Sequence, residues 1–134
     1  LFKTPRSSVL QTGVDHRINF QEDDLEIGFK REGTTVIASV HGRIDTVSSL
    51  AFQQRIEEVL NQNETTIVLD LENLEYLSSS GLRSVLIVAK KAGAAGGKLC
   101  CCNMQALVKR VFDVSGFSSM IPVFDSLRDA LTRQ

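Results

Sequence analysis

Thr66-Ile67-Val68-Leu69-Asp70-Leu71, followed after a short interval by Leu77-Ser78-Ser79-Ser80-Gly81-Leu82, is the stretch on which the fold turns. The first run is almost continuously apolar, as in a parallel strand covered on both faces. The second opens a helix predicted over Gly81 to Ala92. Hydroxyls at that junction suit a helix start, whose first backbone N–H groups lack partners within the helix. The same end carries partial positive charge and favours an anion. Phosphorylation there would therefore suit the local field while changing the surface charge by roughly −1.5 to −2. Capping alone is the competing and more ordinary use of such serines.

Working back from this stretch, Leu25, Ile27 and Phe29 alternate with Glu26, Gly28 and Lys30, a strand with one buried face. Glu32-Gly33 signals a turn, and Thr35 to Val40 completes a hairpin. Gly42-Arg43-Ile44-Asp45 ends the second strand, and Thr46 or Ser48 is placed to cap a helix to about Leu60. Working forward, Leu82, Val85, Leu86 and Ala89 form the inner face of the helix after the serines. Gly96-Gly97 leads to a strand over Lys98 to Cys102, and Asn103 is placed to cap a helix that buries Leu107, Val108, Val111 and Phe112. Ser115-Gly116 stops it. Pro122 marks Met120 to Phe124 as an edge strand, and Asp125 is placed to cap a last helix. The order β-β-α-β-α-β-α-(β)-α predicts an α/β fold with a mixed sheet of four to five strands, parallel at its centre, and about four helices. In such sheets the working site lies beyond the carboxyl ends of the parallel strands. That edge gathers Gly42 to Thr46, Ser78 to Gly81 and Cys102 to Gln105.

The totals bound the reading further. One domain accounts for 134 residues, 43% hydrophobic and 23% charged, with a net charge of −1. No basic patch points to nucleic acid, and no apolar run is long enough to insert in a membrane. Leu1 to Phe20 lacks the apolar core of a signal peptide. Leu1 to Gln21 is aperiodic and reads as an extension, with a homodimer contact as one use for it. The first residue is Leu rather than Met, which fits a fragment or a processed chain.

Catalytic chemistry finds little support. Neither Ser79 nor Ser80 has glycines two residues away on both sides, as a hydrolase elbow needs. The two histidines, His16 and His41, form no convincing triad with them. Gly93 to Lys98 lacks the first glycine of a phosphate loop and precedes a strand. Asp45 and Asp70 lack a third metal ligand. Consecutive Cys100, Cys101 and Cys102 point to alternate faces of a strand and cannot converge on one metal. They read as small buried hydrophobes of a reducing cytosol, with Cys102 the one candidate for redox chemistry. Neither a metal nor a cofactor is expected, and the chain reads as a non-enzyme: a binding switch.

Four segments, in order, resemble the STAS domain family, which includes bacterial anti-sigma-factor antagonists. They are Val40-His41-Gly42-Arg43-Ile44-Asp45; Ile67 to Leu71 followed by Tyr76 to Leu82; Ala106-Leu107-Val108-Lys109-Arg110-Val111-Phe112; and Phe117 to Phe124 with Ser126 to Ala130. The resemblance spans about Leu25 to Leu131 and implies a STAS-like domain over 24–134 after an N-terminal extension, 1–23. It implies a cytoplasmic partner-switching protein that binds an anti-sigma factor, itself a serine kinase, and so frees a sigma factor for transcription. Phosphorylation of the serine before the glycine, here Ser80, breaks the complex, and a serine phosphatase resets it. Asp45, Thr46, Ser78, Ser79, Gly81 and Arg83 are the implied partner-binding residues. The family commonly has Asp-Ser-Ser-Gly where this chain has Ser78-Ser79-Ser80-Gly81. Loss of that acid also fits a second role, a non-phosphorylated STAS interaction module of a transporter or larger signalling assembly. Arg83 is an awkward cation for a helix start. It is placed to pair with a phosphate on Ser80 or an acid on the partner, or simply to be solvated.

Overall fold

The computed structural model describes residues 16–22, 25–64 and 66–133. The hairpin is as expected: β2 (Leu25–Glu32) and β3 (Thr35–Ile44) pair antiparallel from Glu32↔Thr35 to Leu25↔Gly42. Gly33 takes φ +64° in the turn, a conformation that costs glycine nothing. β1 (His16–Glu22) pairs antiparallel with β2 and so adds a strand from within the N-terminal extension. The extension's residues 1–15 lie outside the described residues.

β3 is ten residues long and serves two successive partners on one side. Its first half, Thr35–Ser39, runs parallel to β4 (Thr66–Asp70). Its last residues, Gly42–Ile44, run parallel to β5 (Leu74–Leu77), a strand not expected from the sequence. At the change of partner Gly42 takes φ +104°, and its N–H donates to the Asn73 carbonyl at 3.0 Å. β6 (Lys98–Cys102) lies parallel beside β4, and the two-residue β7 (Val123–Phe124) closes the edge. The described sheet has seven strands in the order β1-β2-β3-β4-β6-β7, with β5 beyond the end of β4. The α/β class and the parallel centre agree with the sequence reading; β1 and β5 are the two additions to its five strands.

Among the described residues four α-helices cover this sheet: α1 (Ser49–Leu60), α2 (Ser79–Ala94), α3 (Ala106–Ser115) and α4 (Leu127–Arg133). Strand alternation splits the core in two. Val36, Ala38, Val40, Ile67, Leu69 and Cys101 face Phe52 and Ile56 of α1, Val85 and Val88 of α2, and Phe112 of α3. Ile37, Val68, Cys100 and Cys102 face Ala130, Leu127 and Leu131 of α4 on the other side. All three thiols are free and at most 1% exposed. Burial pushes Cys100 up to about 11 and Cys102 to about 12, and raises Cys101 as well. A thiol so placed is not ionised near neutrality, which removes Cys102 as a redox candidate.

Two caps differ from expectation. Asn103 does not cap α3; it turns the chain in a left-handed conformation, φ +59°, and its amide donates to Asp70 Oδ1 at 3.1 Å. Gln105 sits at the cap position instead, and its side chain donates to the Glu72 carbonyl at 2.8 Å. At α4 the cap is Ser126 rather than Asp125, its hydroxyl accepting the Asp129 N–H at 3.1 Å. Gly116 ends α3 at φ +84°, as expected.

Candidate functional site

The carboxyl edge of the parallel strands is built from two helix starts that meet at the end of β3. At the first, Asp45 Oδ1 accepts the N–H groups of Val47 and Ser48, each at 3.0 Å. Ser48 Oγ in return accepts the Asp45 N–H at 3.0 Å. This is a reciprocal capping box in which Asp and Ser exchange bonds across three residues. The single Ser48 hydroxyl proton has the Arg43 carbonyl at 3.0 Å and Asp45 Oδ1 at 3.1 Å to choose between. The Ser48 N–H, first among these donors, holds the Asp45 carboxyl below its ordinary value. Of the two expected caps, Ser48 rather than Thr46 holds the N-cap position, but its side chain caps no helix N–H; Asp45 supplies the acceptor in the turn before it, with Ser48 reciprocating. Thr46 is exposed, and its carbonyl accepts the Ser49 hydroxyl at 3.2 Å.

At the second start Ser78 is the N-cap of α2: its Oγ accepts the Gly81 N–H at 3.0 Å. Its own N–H donates to the Ile44 carbonyl at 2.9 Å, tying the start of α2 to the last residue of β3. Ser78 is buried at 9% exposure. A neutral hydroxyl therefore does here the capping that an aspartate does equally well. Gly81 is buried for another reason. A Cβ on it would lie 2.7 Å from Ile44 Cγ2 and 2.8 Å from both the Ile44 carbonyl oxygen and Leu77 Cδ1. Only glycine lets the helix approach the strand end this closely.

With Ser78 and Gly81 turned to the backbone, the open hydroxyls are those of Ser79, exposed, and Ser80, half-buried. Neither makes a side-chain hydrogen bond among the described residues. The first turn of α2 carries no acidic residue, and the exposed Arg83 follows Ser79 by four positions and Ser80 by three, on a shared helix face. α1 lies alongside, with Ser84 Oγ donating to the Ser49 carbonyl at 3.2 Å. Asp45, Thr46, Ser78, Ser79, Ser80, Gly81 and Arg83 are therefore brought to one edge.

The sequence reading missed the apolar rim of this edge. Val47 and Leu50, at the start of α1, are each 59% exposed. Leu107 of α3, expected to be buried, is instead 69% exposed, because Val108 and Phe112 form the helix's inner face; it stands beside a cleft of about 220 Å³ that Tyr76, Leu77 and Val111 also line. Arg43 lies 4.5 Å over the Tyr76 ring, a cation–π contact at the end of β3. Val47 and Leu50 were legible in principle, since each stands off the stripe formed by Phe52, Ile56 and Val59. Among the described residues no group of three His, Cys, Asp or Glu is placed to hold a metal ion, and no helix is long and apolar enough to cross a membrane.

The chain belongs to the STAS domain family, whose model matches residues 27–130 and so spans the sheet and both helix starts of this edge. Its relatives narrow the class. BtrV of Bordetella bronchiseptica, whose name assigns it as an anti-sigma factor antagonist, is 36% identical over 91 residues, 68% of this chain and 78% of that one. The anti-sigma F factor antagonist of Paenibacillus polymyxa is 29% identical over 110 residues, covering 81% and 94%. The crystal structure of an anti-sigma factor antagonist from Mycobacterium paratuberculosis superposes with a TM-score of 0.76 at 27% identity, covering 82% of this chain and 93% of that one.

Proposed function

We propose that this chain is an anti-sigma-factor antagonist that works by partner switching, without catalysis of its own. In the unphosphorylated state it docks an anti-sigma factor through the α1 and α2 starts, and so releases a sigma factor for transcription in the cytoplasm. The partner is also the serine kinase that modifies the edge, and a serine phosphatase reverses the modification. The two relatives and the solved structure described above, all named as antagonists, support this reading. The observation that carries it is the open hydroxyl pair at the start of α2, with Arg83 one turn on along the same face and with Val47 and Leu50 exposed at the start of the neighbouring α1. Exposed apolar side chains beside an unpartnered hydroxyl suit a surface that closes over the serine. A phosphate introduced there brings a dianion into a contact that must shed water, which costs affinity. If the lost contact is worth about 3 kcal/mol, binding falls roughly a hundredfold.

Exposure also ranks the acceptors. The family resemblance points to Ser80, from its place before the glycine; Ser79 stands clearer of the fold and is the hydroxyl an approaching kinase reaches first. Incubation with the cognate anti-sigma factor and ATP, followed by mass mapping, tests both points. Phosphate on Ser79 that disappears in Ser79→Ala and dissociates the complex is the expected result. Phosphate on Ser80 alone returns the assignment to that residue. Tight binding with no transfer to either serine refutes control by phosphorylation and leaves an interaction module.

A further inference from the structure

The opposite end of β6 carries a second feature that the docking edge does not use. In a parallel ladder alternate residues bond to alternate neighbours. The Cys102 carbonyl turns toward β4, accepting the Leu71 N–H at 3.0 Å. The N–H groups of Cys101 and Asn103 turn the other way, to the carbonyls of Pro122 (3.0 Å) and Phe124 (3.2 Å). Leu99 therefore presents its N–H and C=O on that same outer side. The next donor in the β7 ladder would be the N–H of residue 122, and Pro122 has none, so pairing ends at Cys101↔Val123. The outward groups of Leu99 have no backbone partner among the described residues, although the residue is only 4% exposed.

A cavity of about 390 Å³ runs along this open length of strand. Its apolar walls include Ala89, Pro122 and Met120, the last 55% exposed. Its charged members are Lys98 and Arg133, both exposed and without an ion-pair partner among the described residues; no carboxylate lines it. Lysine on an edge strand is a common guard against unwanted pairing. Here, however, it stands beside an apolar slot and a second cation, with a backbone donor and acceptor unspent between them.

We propose that the Lys98–Cys100 edge of β6 is a strand-addition site for an extended segment of a partner protein that alternates apolar and acidic residues. Its main chain would bond to the Leu99 N–H and C=O, its apolar side chains would enter the slot at Met120 and Pro122, and its carboxylates would meet Lys98 and Arg133. This surface lies at the other end of the strands from the serine edge, so one chain would hold two partners at once.

The test uses the whole chain and blocked synthetic peptides of alternating valine and glutamate, with alternating valine and lysine as the control. Amide exchange and amide NMR shifts are followed at Leu99. In the free protein the Leu99 amide is expected to exchange quickly. The acidic peptide is expected to slow that exchange and to shift Lys98 and Leu99 saturably, while the lysine peptide does neither. Lys98→Glu with Arg133→Glu, both at exposed positions, should weaken the acidic peptide roughly tenfold or more. Equal effects of the two peptides, or unchanged binding by the double variant, would overturn the charge assignment. A Leu99 amide already protected in the free protein would overturn the site. If that protection grows with protein concentration a second copy is the occupant; if it does not, a segment of the same chain covers the edge.

Discussion

Replacing Gly81 by alanine tests whether the serine edge is held in place by close approach or by helix capping alone. In an open helix the change would help, since alanine is better than glycine by about 0.8–1 kcal/mol. Here the new methyl lands 2.7 Å from Ile44 Cγ2 and 2.8 Å from the Ile44 carbonyl oxygen, distances real Cβ atoms do not show. The side chain can yield, but the carbonyl cannot retreat freely, because it holds the Ser78 N–H at 2.9 Å. The first turn of α2 must move off the strand. Overpacking of this kind costs about 1–3 kcal/mol, and a weakened backbone hydrogen bond about 1 more. Set against the helix gain, the net loss is about 1–3 kcal/mol, or roughly 4–10 °C in melting temperature for a domain of this size. The matched control is Gly93→Ala in the last turn of α2, where a Cβ meets nothing within 4 Å. That variant should gain about 0.4–1 kcal/mol. Urea and thermal unfolding by circular dichroism measure both. A Gly81→Ala protein as stable as the parent would refute the close-approach explanation, and Gly93 would then show how much of the result was propensity.

Three further outcomes follow from the same geometry. Ser78→Ala should cost about 1 kcal/mol by urea titration through loss of the cap to Gly81, whereas Ser78→Asp should stay within about 0.5 kcal/mol of the parent, because a carboxylate caps as well. Asn103→Gly should keep the left-handed turn and lose only the bond to Asp70, while Asn103→Ala should cost about 1–2 kcal/mol more in the same assay. The buried thiols should resist a thiol reagent at pH 8 until the protein unfolds. Their folded pKa values are raised above the ordinary 9.0, so above pH 9 the unfolded chain gives up protons that the folded chain keeps. Stability should therefore fall as pH climbs from 9 towards 11, by up to about 1.4 kcal/mol per unit for each thiol. A flat unfolding midpoint across that range would contradict the burial of all three.

The parallel centre of the fold was legible because Thr66–Leu71 is apolar on both faces, and the hairpin because Leu25–Lys30 alternates. β5 was not. Leu74-Glu75-Tyr76-Leu77 is four residues long with its middle exposed, and it exists because β3 outruns β4 and offers Gly42–Ile44 to a second partner. The helix caps were read to within one to three residues. Ser, Thr, Asp and Asn all compete for that task, and the local turn decides: Ser48 rather than Thr46 takes the cap position of α1, with Asp45 as the acceptor before it, and Ser126 stands where Asp125 was expected. The serine cluster announced a helix start, but not which hydroxyl would face outward. Successive helix residues differ by about 100° in direction, so neighbours such as Ser79 and Ser80 part company only once the helix is set against β3. The Gly81 contact was equally hidden, since its cause lies at Ile44, thirty-seven places earlier in the chain.

That Ile44 carbonyl has a bearing on kinetics. It receives the Ser78 amide, lies where a Cβ on Gly81 would come within 2.8 Å of its oxygen, and immediately precedes the Asp45–Ser48 box. Both loops of the edge are thus soldered to one peptide group. On the proposed reading, a partner meets this edge already assembled and spends little of its association energy on ordering it, so encounters should convert at a high rate. The shared anchor also joins the two loops: whatever shifts the Ile44 peptide to make room on one of them moves the attachment of the other.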